Sequence, residues 1–192
     1  MVHTDILVKA YICSGGAGLA CCFLMHHLGT KDPRTPITIE YSLGNPLAVA
    51  FFVSALVTAS LMAWLFHRGN AKAESLLLAS VAACIGVLIF TSPDSGAHLL
   101  ALFAAVWCAA LAPVIYVLKS EFSLGSIVLL AMPLSTTFVV AIASLLPNGA
   151  MGLGIAERLW YGVSFFVNAT IIKMLYDDGR LEDNSNHSTQ TR

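Results

Sequence analysis

Apolar side chains run along this chain in long stretches, and the charged residues collect between them. Six stretches stand out, at 5–28, 46–66, 76–90, 98–118, 127–146 and 155–175. None shows the strict alternation of a half-buried strand or the short alternating segments of a membrane barrel. A bilayer core about 30 Å thick accommodates ~20 apolar residues of helix, and five of the six stretches reach that length. The third is shorter and needs Ser75, Thr91 and Ser92 at its flanks to cross. Lipid offers no partner to a backbone N–H or C=O, so spans of this kind must be helical. The pattern predicts an all-α, polytopic transmembrane bundle of six helices over residues 1–176. Residues 177–192 are acidic or rich in Asn, Ser, Thr and Gln, and read as a disordered polar tail.

Six crossings place both termini on one side. With the termini in the cytoplasm, that side holds Lys9, Arg68, Lys72, Lys119, Lys173, Arg180 and Arg192. The far side holds Lys31, Arg34 and Arg158. Seven basic residues against three agree with the positive-inside rule, so a cytoplasmic location of both ends is expected. The first stretch lacks a basic start and a small-residue cleavage pattern, and is taken as a helix rather than a signal peptide.

Composition narrows the picture further. Hydrophobic residues make up 57% of the chain and charged residues 11%, with a mean hydropathy of +0.79. That leaves too few charges to coat a water-soluble protein of 192 residues. A net charge of −1 supplies no basic stripe, so nucleic acid is not an expected partner. Neither a Walker loop nor a dinucleotide glycine pattern is present, which removes a nucleotide-driven pump. Cys13, Cys21, Cys22, Cys84 and Cys108 all lie within apolar stretches and lack CxxC spacing. They are read as small core residues, not as a disulfide framework or a zinc knuckle.

Local signals add detail. Ser14, Gly15, Gly16 and Gly18 give the first helix a small-residue face suited to close packing on a neighbour in the same chain. Pro113 and Pro133 should kink the fourth and fifth spans. The segment 29–45 is expected to be an extended loop, because Pro33 and Pro36 favour extended backbone. Ser92, Asp94 or Ser95 should cap the fourth span. Trp64, Trp160, Tyr41, Tyr161 and Tyr176 lie near span ends and read as interfacial anchors, whereas Trp107 should pack between helices. Asn168 and Asn186 match the glycosylation pattern, but one falls in a span and the other in the cytoplasmic tail.

The candidate chemistry gathers at the non-cytoplasmic rim. Glu40 precedes the second span, Asp94 and His98 open the fourth, and Glu157 and Arg158 open the sixth, with His26 and His27 closing the first. Ionisable groups at membrane depth are costly and pair or serve a function. Glu157 and Arg158 point about 100° apart on a helix and must find partners elsewhere. Arg158 with Glu40 or Asp94, and Glu157 with His98 or a backbone donor, are the expected pairs. Asp94 and His98 share a helix face at i, i+4, but a metal centre would need further ligands from His26, His27 or Glu157. Neither a metal nor a cofactor is expected.

Three segments carry a resemblance. They are Ile39-Glu40-Tyr41-Ser42-Leu43-Gly44-Asn45-Pro46, then Gly86-Val87-Leu88-Ile89-Phe90 followed by His98, and Gly152-Leu153-Gly154-Ile155-Ala156-Glu157-Arg158-Leu159. Together they resemble the six-helix membrane proteins grouped as domain of unknown function 998, and more distantly the Frag1/DRAM-like proteins. The resemblance implies a six-helix bundle in a cell or inner membrane and a slight preference for a lipid-related role; it implies no reaction.

The leading expectation is an accessory, non-enzymatic membrane protein. Its rim pocket of Glu40, Asp94, His98, Glu157 and Arg158 would contact membrane lipids, another membrane protein or a second copy. One alternative is a small transporter or permease, which requires polar side chains continuing through the bundle. The second and fifth spans offer only Thr58, Ser60, Ser135, Thr136 and Thr137 for this. A further alternative is a membrane-embedded hydrolase built on Asp94 and His98.

Overall fold

The computed structural model describes residues 4–28, 32, 34–119, 124–145 and 152–181. Among them there are seven α-helices and no strand. The order is α1 (Thr4–Leu28), α2 (Ile37–Ser42), α3 (Pro46–Arg68), α4 (Lys72–Phe90), α5 (Gly96–Lys119), α6 (Leu124–Leu145) and α7 (Leu153–Asp177). Five of these, α1 and α3 to α6, are long and apolar enough to cross a membrane. The sixth apolar stretch of the sequence becomes α7, 25 residues long, which carries Glu157, Arg158, Lys173 and Asp177 and is not one of those five.

Short turns at the helix ends impose antiparallel neighbours. Asn45 caps α3 by accepting the Leu47 N–H at 3.0 Å, and Pro46 follows in the first helical position, where its missing N–H costs nothing. Gly69 and Asn70 close α3, with Asn70 at φ 59°, and α4 starts two residues later. Its start at Lys72 gives the third stretch 19 helical residues, so the polar turn side supplies the missing length. Ser95 caps α5 through the His98 N–H at 3.2 Å, one of the expected capping residues. Pro113 and Pro133 lie inside α5 and α6 as expected. Gly152 immediately precedes α7 at φ 68°, a left-handed conformation that glycine adopts without a steric penalty.

The six long helices close a ring in chain order. Helix α1 packs on α3, α3 on α4, α4 on α5, α5 on α6 and α6 on α7, which returns to α1. Helix α7 also touches α3 and α5 across the interior. The small-residue face of α1 is where two partners come closest. The Thr58 hydroxyl donates to Ser14 Oγ at 2.9 Å, and the Ser54 hydroxyl donates to the Ser14 carbonyl. A Cβ on Gly15 would strike the Phe165 ring, and one on Gly18 would strike the Tyr161 hydroxyl. The expected close packing within one chain is therefore present, against both α3 and α7. Outside the ring the surface is apolar too, with Phe23, Phe90, Leu100, Phe138, Leu159 and Phe166 exposed. Such a surface is suited to lipid rather than water.

Two expectations need correction. The segment 29–45 is not wholly extended: Pro36 is extended at φ −56° and ψ 143°, but α2 begins directly after it. A proline before a helix leaves the next residues free to turn, and the first backbone donor of α2, the Ile37 N–H, finds an acceptor on α7. Tyr161 is not an interfacial anchor, being only 8% exposed with its ring packed against Phe51 at 4.9 Å between centroids. By contrast Trp64 is exposed, and Trp107 stacks edge-on against Phe138 of α6. The expected tail falls largely at 182–192, outside the described residues, as does Asn186. Asn168 is fully buried inside α7.

Candidate functional site

The rim where α1 and α4 end and α3, α5 and α7 begin carries a network of buried polar groups. Glu40, on α2, is fully buried. Its carboxylate accepts from the Asn45 side-chain amide at 3.0 Å, and the same amide group donates to the Met25 carbonyl of α1 at 3.0 Å. Asn45 thus caps α3 with its oxygen while its nitrogen ties α1 to α2. One side chain joins three helices.

Arg158 projects the other way, toward the end of α1. Its Nε donates to the Cys22 carbonyl at 3.1 Å, and Nη1 donates to the carbonyls of Thr35 at 3.1 Å and Gly154 at 2.7 Å. The rigid fork of a guanidinium is suited to several acceptors at once. The Gly154 N–H also donates to the Arg34 carbonyl at 3.0 Å, so the chain before α2 is fastened to the first turn of α7. A Cβ on Gly154 would collide with the Thr35 carbonyl oxygen. Glycine here permits backbone-to-backbone approach, and the Arg158 side chain covers it.

Glu157 sits one position back and faces inward at 7% exposure. Its Oε2 accepts the Ile37 N–H at 2.8 Å, the expected backbone-donor pairing. The first N–H groups of any helix lack an intrahelical acceptor, and a carboxylate there also meets the positive end of the helix dipole. Glu157 therefore holds α2 in place from another helix. Its second oxygen, Oε1, is buried without a hydrogen-bond partner.

Asp94 and His98 stand apart from this cluster. Asp94 is exposed, while His98 is buried and its Nδ1 lies 3.1 Å from the Thr91 hydroxyl. Among the described residues no hydrogen bond or ion pair joins the two, since Asp94 lies in the turn before α5, not on the helix. Side-chain placement of His26 lies outside the described residues. No group of three metal-binding side chains occurs among those described.

Behind Glu157 lies a partly open cavity of about 90 Å³. It extends as deep as Met62, Ala109 and Phe165, past the midpoints of α3 and α5 and to that of α7. Ala55, Ala59, Ala105 and Ala109 leave the space, since four methyl groups occupy positions where larger side chains would fill it. Its walls are almost wholly apolar, and the polar residues among them come mainly from α7. Trp160 Nε1 and Ser164 Oγ, like Glu157 Oε1, are buried without a partner, and all three residues line the cavity. Tyr161 lines it as well, with its hydroxyl beside Ser54 of α3. A buried polar atom without a partner costs on the order of 1–3 kcal/mol, which makes this cavity the candidate site.

Glu157, Tyr161, Ser164 and Asn168 recur at intervals of four, three and four residues, all buried. That spacing forms one stripe of a helix, and it was legible in the sequence. Reading Trp160 and Tyr161 as anchors concealed it. The opposite face of α7 shows Ile155, Leu159 and Phe166 to the outside, so this helix is polar inside and apolar outside.

No family model, curated protein or solved structure matches this chain.

Proposed function

We propose that this is a multi-pass membrane protein whose helical bundle binds a small, largely apolar molecule in its central cavity. The observation that carries this reading is the buried, unpartnered Oε1 of Glu157, a residue lining a cavity whose walls are mostly apolar. Ligand sites take this form: mostly apolar walls with a few polar groups that orient the occupant. In this reading Glu40 and Arg158 are a latch that holds α1, α2, α3 and α7 around the site. Helix α7 is the sixth crossing, as its apolar outer face supports, and both termini lie in the cytoplasm of a cell or inner membrane. The six-helix resemblance is compatible with this layout, and the occupant is drawn from the lipid phase, the rim itself not being the binding surface.

Transport is a second reading, favoured by one observation: the α7 stripe continues below the cavity to Asn168, whose Oδ1 is also unpartnered. An enzyme built on Asp94 and His98 has no such support.

The test is saturable binding of small probes to the full-length protein in a maltoside detergent, followed by saturation-transfer NMR. The probe 3,3-dimethyl-1-butanol is neutral, and choline has the same shape with a positive charge. At least one should bind wild type, and Ala105→Leu should abolish that binding while the protein remains folded. Absence of saturable binding by either probe, or unchanged binding in the filled variant, would overturn the reading. Orientation is tested separately, with cysteines placed at Ser95 and Asn70 in a cysteine-free background. A membrane-impermeant reagent applied outside should label the first and not the second.

A further inference from the structure

We infer that the occupant of the cavity is a small lipophilic cation, an ammonium group substituted with carbon and carrying an oxygen acceptor nearby. This rests on the cavity being a ligand site. The first argument is charge. Among the described residues that line the cavity, Glu157 is the one acidic residue and none is basic. Arg158, next in the chain, directs its guanidinium to the carbonyls of Cys22, Thr35 and Gly154 instead. An anionic occupant would face Glu157 with no basic residue on the cavity wall to meet it, whereas a cationic one forms an ion pair there.

The second argument is the wall. Phe51, Phe52, Trp160, Tyr161 and Phe165 all line the cavity. Phe51 meets Phe52 edge-on at 5.5 Å and Tyr161 edge-on at 4.9 Å, which fixes the three rings as a rigid corner. Aromatic faces attract cations, and sites that recognise quaternary ammonium groups combine several such rings. An apolar molecule would be satisfied by the alanines and leucines of a ring of helices. Five aromatic residues beside one buried carboxylate favour a cation.

Hydrogen-bond chemistry narrows the class further. A primary ammonium has three donors, yet Glu157 Oε2 is already engaged with Ile37. A carbon-substituted ammonium makes fewer demands and presents methyl groups to the rings. Trp160 Nε1 is a donor without an acceptor, and Ser164 Oγ is unpartnered as well. An oxygen on the occupant satisfies them. Size agrees with this. A dry cavity of about 150 Å³ accommodates benzene, so about 90 Å³ takes roughly four heavy atoms: the cavity is partly open, and it holds the trimethylammonium head while the rest of the occupant extends toward its mouth. Free amino alcohols and the headgroups of choline lipids share this chemistry.

The experiment compares choline with 3,3-dimethyl-1-butanol, which replaces the ammonium nitrogen by carbon and leaves the rest unchanged. Choline should bind full-length wild type on the order of tenfold more tightly than the alcohol. Glu157→Gln should remove most of that preference. If this variant fails to fold, Phe51→Leu provides the second arm, since losing one ring should weaken choline several-fold and leave the alcohol nearly unchanged. Equal binding of the two probes to wild type would overturn the cation assignment while leaving the cavity as a binding site. Failure of both probes to bind would remove the site itself. Phosphocholine distinguishes the source: competition equal to choline identifies a lipid headgroup, and failure to compete identifies a free amino alcohol, each within the assigned class.

Discussion

The Ile37 N–H lies 2.8 Å from Glu157 Oε2, so a carboxylate on the last long helix caps a short helix 120 positions earlier in the chain. The bond uses one oxygen of Glu157 and leaves the other beside the cavity. Structure and proposed recognition thus share one side chain, and substitutions can separate them.

Glu157→Gln retains an acceptor for Ile37 and should unfold within about 1 kcal/mol of wild type in detergent. Glu157→Leu leaves the Ile37 N–H buried and unpaired and should cost roughly 1–3 kcal/mol. Thermal or denaturant unfolding followed by circular dichroism distinguishes them. Equal loss in both variants would mean that the carboxylate charge, not the capping bond, holds α2.

Arg158 spans three carbonyls on two segments and the helix that bears it. Lysine is a single-point donor on a flexible stem and cannot reach all three together. Arg158→Lys should therefore destabilise by about 1–2 kcal/mol, and Arg158→Ala by roughly twice that. A lysine variant as stable as wild type would show that only positive charge matters at this position.

Among the glycines, Gly154 and Gly16 provide a controlled contrast. A methyl at Gly154 meets the Thr35 carbonyl, while one at Gly16 meets nothing within 4 Å. Gly154→Ala should cost about 1–3 kcal/mol through forced separation of backbones. Gly16→Ala should be neutral or stabilising by up to about 1 kcal/mol, from helix propensity alone. The same unfolding measurement checks both, and a stable Gly154→Ala would refute the close approach of α7 to the chain before α2.

At the opposite end, Glu74 of α4 is fully buried and accepts from Lys119 of α5 at 2.8 Å, while its Oε2 has no partner. The lysine is more than half exposed, so solvent screens the pair and moderates its worth. Lys119→Met should still cost about 1–3 kcal/mol, because it strands a buried carboxylate. The double variant Glu74→Leu with Lys119→Met should recover most of that loss. A double variant less stable than the single would indicate that Glu74 has a further role.

Helix positions, their antiparallel order and the location of charge at span ends were legible in the sequence, because lipid imposes continuous apolar helices whatever they pack against. The 4-3-4 spacing of Glu157, Tyr161, Ser164 and Asn168 was present there too. What it lacked was a direction. In water an apolar stripe points inward, but in a bilayer both the core and the surroundings are apolar, so the pattern loses most of its sense of inside and outside. Only tertiary packing turned that stripe toward the cavity and sent Glu157 and Arg158 to different neighbours. The short helix α2 is of the same kind: six residues cannot nucleate alone, and its first donor is satisfied by a side chain far away in the chain.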